Sequence, residues 1–147
     1  MNQANPAPGG IVCATRGGEG SERTIQRALG LARERGLRLT FLYIAGLEFM
    51  RRTSMGHAGL AAEEVRKMGE FIMLTLVEQA QAEGVEADFA VREGRFRDEL
   101  LRYLAETRPA VLVLGRPQPD TGFFDLRSLS RLVQEIEKQT GVPVELA

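Results

Sequence analysis

Three arginines stand where the chain could recognise an anion. Arg16 follows the apolar run "GIVCAT" and precedes Gly17, Gly18 and Gly20. Arg116 follows Gly115 at the end of a second apolar run, "AVLVLG". Arg127 stands with Ser128 and Ser130 where a helical pattern begins. A guanidinium is a planar fork that matches carboxylates and phosphates. Glycine lets backbone come close to a ligand, and a helix start offers free N–H groups with a partial positive charge. The plain alternative is that Arg16 pairs with Glu19 and Arg116 with Asp120, as solvated ion pairs of little energetic weight.

Other chemistry is poorly supplied. A covalent mechanism needs a nucleophile with a base beside it. His57 is the one histidine and Cys13 the one cysteine, and the expected fold keeps them apart. Cys13 lies inside an apolar run and reads as a packing thiol. No carboxylates are spaced to help His57 hold a metal. "GGEGSER" lacks the Lys-Ser/Thr of a P-loop. Asp98 and Glu99 open a helix, where acidic residues favour the dipole. The sequence therefore predicts no catalysis and no metal.

Composition narrows the partners. Of 147 residues, 19 are basic and 20 acidic, a balance that argues against nucleic acid and against a polybasic membrane binder. Hydrophobic residues make up 44%, enough for one sizeable core. No apolar run is long enough to cross a membrane. The opening "MNQANPAPGG" lacks the basic flank and apolar centre of a secretory signal. Residues 1–9 read as a loose polar tail, 10–147 as one domain, and the cytoplasm as the setting.

The elements that must position these residues alternate. Apolar runs at 10–15, 37–44, 87–91, 110–115 and 142–146 read as strands, the short all-apolar ones as buried on both faces. Between them lie helical patterns. The first is capped by the Ser21 hydroxyl and ended by Gly36. The others cover about 60–83, 96–106 and 125–139, with "REGR" read as the turn before the third helix. Strands separated by helices run parallel with right-handed crossovers. The pattern predicts an α/β three-layer open sandwich with a five-stranded parallel sheet of order 3-2-1-4-5; the competing order is 2-1-3-4-5. In such sheets ligands sit at the carboxyl ends of the strands where the winding reverses. For 3-2-1-4-5 that crevice receives the loops after strands one and four, bringing Arg16, Arg116 and Arg127 towards one place.

"IVCATRGGEGSERTIQRALGLA", "VREGRFRDELLRYLAETRPAVLVLGR" and "LSRLVQEIEKQTGVPVEL" resemble, in this order, the opening, the middle and the closing segments of the universal stress proteins. The resemblance runs from Gly10 nearly to the end. It implies a dimeric stress-response protein whose members divide into ATP binders and non-binders. Binders carry an Asp after the first strand, then Gly-x-x-Gly, nine residues, and Gly-Ser or Gly-Thr around the phosphates. Here Arg16 occupies the Asp position, Gly115 matches the first glycine, Gln118 stands for the second, and Arg127-Ser128 replaces Gly-Ser one residue early. Arg has no hydrogen-bond acceptor to offer a nucleoside. The expectation is a non-catalytic regulatory protein with no cofactor and a pocket remodelled around Arg16, Gly17, Gly115, Arg116, Arg127, Ser128 and Ser130. Its partners are a second copy and either another protein or a small anion. The alternative is a member that binds ATP, AMP or a similar nucleotide.

The resemblance also implies dimerisation through the last strand, "VPVEL". The long helix is expected to help. Val65, Met68, Ile72 and Leu76 would form its inward stripe, leaving Phe71, Met73, Leu74 and Val77 elsewhere, for the 45–58 loop or for a subunit interface.

Overall fold

The computed structural model describes residues 9–15, 17, 19–46, 58–115 and 126–147. The first-strand run forms β1 (Ile11–Ala14), buried at every position. A short 3-10 turn (Glu19–Ser21) leads into α1 (Glu22–Arg35), then β2 (Leu39–Gly46), α2 (Ala58–Ala82), β3 (Ala87–Gly94), α3 (Phe96–Thr107), β4 (Val111–Leu114), α4 (Leu126–Thr140) and β5 (Val144–Leu146).

All strand pairs are parallel, in the order β3-β2-β1-β4-β5. The reversal falls between β1 and β4, which pair from Ile11↔Val111 to Ala14↔Leu114. Alternation along the strands divides the core in two. Ile11, Cys13, Leu39, Phe41, Val111 and Val113 face α1 and α2. Val12, Leu42, Leu112 and Leu114 face α3 and α4. Burial pushes the Cys13 thiol up to about 12, so it packs as a small apolar group and stays protonated.

Gly36 ends α1 in the left-handed region, at φ 64°. Arg108 does the same after α3, at φ 47°, where a side chain carries a steric penalty. Three expectations need correction. Arg92, Glu93 and Gly94 are strand, not turn, because β2 runs on and pairs with them through Ile44, Ala45 and Gly46. The Ser21 hydroxyl makes no cap bond to α1. The inward face of α2 is Gly69, Met73, Leu76, Val77 and Ala80, whereas Met68 is exposed. Gly69 lies directly on the Tyr43 ring, where a Cβ would collide. The helix therefore approaches the sheet closely at Gly69, with Met73, Leu76, Val77 and Ala80 packed beneath it and Met68, Phe71 and Leu74 turned outwards.

α2 packs on β2 and β3, whereas β5 is the opposite edge of the sheet.

Candidate functional site

Beyond β1, Thr15, Gly17 and Ser21 are tied to one another and to the sheet. Thr15 stays tied to the sheet through its N–H, which donates to Leu42 (3.0 Å). Its hydroxyl accepts the Gly17 N–H at 3.0 Å. The Ser21 hydroxyl donates to the Gly17 carbonyl at 2.9 Å. Ser21 thus stitches the turn closed instead of capping α1. Gly17 has φ 74°, and a Cβ there would land on Ile72 Cγ2 of α2. Both the torsion and the neighbour demand glycine.

Gly115, after β4, has a comparable neighbour. A Cβ there would stand 2.7 Å from Thr24 Oγ1, and Thr24 is buried on the inner side of α1. Because Ala14 pairs with Leu114, Gly17 and Gly115 lie at the same end of adjacent strands. The first turn of α1 spans them, Ser21 holding one and Thr24 abutting the other.

Of the residues expected at the site, the structure brings together Gly17 and Gly115. Arg127, Ser128 and Ser130 are exposed in the first turns of α4, on the face of the sheet opposite α1. Arg16, Arg116 and Gln118 lie outside the described residues, as does the region of His57 and the tail 1–8.

A profile of the universal stress protein family matches residues 10–134. The chain belongs to the universal stress protein family. A comparison with curated proteins finds no match. Among solved structures, a universal stress family protein from Burkholderia pseudomallei superposes with a TM-score of 0.71 at 18% identity, over 93% of this chain and 94% of that one. A universal stress protein from Archaeoglobus fulgidus, solved in complex with dAMP, gives 0.57 at 18% identity, over 97% and 98%. Another, solved in complex with cAMP, gives 0.60 at 16%, over 96% and 97%. At such identities the likeness is one of fold.

Sequence reasoning missed the residues that fill this end of the sheet: Thr15, Thr24 and Ile72, together with the use made of Ser21. One signal was available. A hydroxyl two residues before a glycine and another four after it can bond the same turn from both sides. Ile72 gave none, because its role depends on how α2 lies across β1.

A second polar cluster lies on the α3 side of the β2–β3 edge. Thr40 donates to Asp88 at 2.6 Å, Arg38 pairs with Asp88 at 2.7 Å, and the Arg92 guanidinium carbon stands 5.1 Å from the centre of the Tyr103 ring. Burial, then the Asp88 charge, pushes the Tyr103 hydroxyl pKa up. Among the described residues no group of His, Cys, Asp and Glu could hold a metal ion, and no helix is long and apolar enough to cross a membrane.

Proposed function

We propose that this member acts as a non-catalytic, cytoplasmic regulatory protein of the stress response. In this reading residues 10–147 work as a homodimer, and the pocket beyond β1 and β4 has been remodelled away from ATP. The supporting observation is the closure of the β1 turn. Gly17 has its N–H engaged by Thr15, its carbonyl by Ser21 and its open side by Ile72. A ligand can come close to this turn only where its backbone groups are free and the glycine face is open. Arg16 in place of an acceptor points the same way. In this reading Arg16 and Arg116, with Arg127, Ser128 and Ser130 at the start of α4, supply the cationic and hydroxyl groups for a small anion.

A second reading, a nucleotide-binding member, is favoured by the relatives solved with cAMP and dAMP. Thermal-shift titration with ATP, AMP, cAMP and inorganic phosphate separates the two. A ligand at 100 times its Kd adds about 2.7 kcal/mol, which moves the Tm of a domain this size by several degrees. The proposal expects no shift from millimolar ATP. Several degrees would establish the second reading. The chain has no Trp and two Tyr, so a co-purifying nucleotide would also be conspicuous near 260 nm.

A further inference from the structure

Three large apolar side chains are exposed among the described residues, and all three are on α2: Met68 (64%), Phe71 (71%) and Leu74 (42%). At 3.6 residues per turn they form one ridge, directly opposite the buried Gly69, Met73 and Ala80. Thr75 extends it: its hydroxyl donates to the Phe71 carbonyl at 3.0 Å, which leaves the methyl for the surface. A helix facing only water has no use for such a ridge.

The charges around the ridge are self-complementary. Lys67 lies just before it and Glu78 just after it, both exposed on the same side of the helix. A two-fold axis midway between Phe71 and Leu74 is also midway between Lys67 and Glu78. Crossing a second α2 antiparallel at that point sets Phe71 against the partner's Leu74 and Lys67 against the partner's Glu78, twice over. Glu64 then faces the partner's Gln81. An axis through Phe71 itself would instead set Glu64 against the partner's Glu78, a like-charge contact. The rival partner for Lys67 within the chain is Glu63, 3.7 Å away and exposed, a pair of small worth.

We propose that the outer face of α2 is an isologous interface for a second copy of this chain, in the register that joins Lys67 to the partner's Glu78. The proposal rests on the homodimer reading and gives that dimer a contact surface on α2. Isologous contacts of this kind bury the same patch on both subunits, with Phe and Met favoured at the centre.

The test is sedimentation velocity on the full chain, from a few to about 100 µM, a range suited to a patch smaller than a standard interface. The wild type should self-associate, and Phe71→Asp should be monomeric throughout with an unchanged circular dichroism spectrum and a melting curve that matches the wild type at concentrations too low for association. Lys67→Glu and Glu78→Lys should each raise the dissociation constant roughly tenfold, and the double exchange should restore it. A wild type that stays monomeric overturns this interface and the dimer reading together. A dimer that survives Phe71→Asp overturns the interface and leaves the dimer reading to another surface. Failure of the double exchange to restore association overturns the register.

Discussion

The turn beyond β1 and the outer face of α2 are only a helix apart, yet they are finished in opposite ways. In the turn, Thr15, Ser21 and Ile72 answer the backbone and the open side of Gly17. On α2, the same helix that supplies Ile72 turns Met68, Phe71 and Leu74 to the surface. The open side of Gly17 is filled by internal packing, and uncovered apolar area appears on the adjoining surface. Recognition in this protein is therefore expected at a surface as much as in a pocket.

Substitutions break the comparison in a definite order. Gly17→Ala should be the most damaging. A non-glycine residue in the left-handed region costs about 1–2 kcal/mol, and forcing a methyl onto Ile72 adds about 1–3 kcal/mol. Urea denaturation should show the sum, with Ile72→Ala relieving part of it in the double variant, a non-additivity expected of touching residues. Phe71→Ser, by contrast, should leave monomer stability within about 0.5 kcal/mol, because its side chain is already exposed. A large loss at Phe71 would mean the ridge is packed, and equal tolerance at Gly17 would mean the turn is open.

A smaller effect of the opposite sign is expected at Arg108. It is the one described non-glycine residue with positive φ and closes α3 through an N–H to Leu104 carbonyl bond of 2.9 Å. Arg108→Gly keeps that bond and removes the steric penalty, so the midpoint should rise by the equivalent of about 0.5–1 kcal/mol.

The smallest is a pH effect on the far side of the sheet. Arg97 on α3 holds Glu135 on α4 through two hydrogen bonds, and that hydrogen bonding holds the Glu135 carboxyl below its usual value. A carboxyl lowered in the folded state stabilises it above the unfolded pKa, and the contribution is lost as pH falls through the folded one. Both groups are exposed, so the loss is slight. Glu135→Gln should flatten the acid limb of the stability profile a little, being slightly less stable than wild type at neutral pH and converging with it at acid pH. A larger acid sensitivity in Glu135→Gln than in wild type would contradict it.

Much of the architecture was legible in the sequence because its strands are short and apolar. "IVCA" and "VLVL" could hardly be anything but doubly covered strands. The end of β3 was not, since Arg92, Glu93 and Gly94 look like a turn until β2 is present to pair with them. The inward face of α2 misled for a related reason. Hydrophobic patterning favours large residues, and this helix approaches the sheet through Gly69 and Ala80. At the candidate site, Gly17 and Gly115 were found at the right end of the right strands. Protein side chains stand beside both, Ile72 at Gly17 and Thr24 at Gly115, and leave no room for a Cβ. Such contacts between distant segments have no local signature.

Isothermal titration calorimetry of ATP into the full chain tests the closed turn most directly. With Gly17 engaged on both its N–H and its carbonyl and Arg16 in place of an acceptor, heats should match dilution with protein at about 100 µM, which bounds the Kd in the millimolar range. A saturable isotherm with a micromolar Kd would contradict the account and return the chain to the nucleotide-binding members of its family.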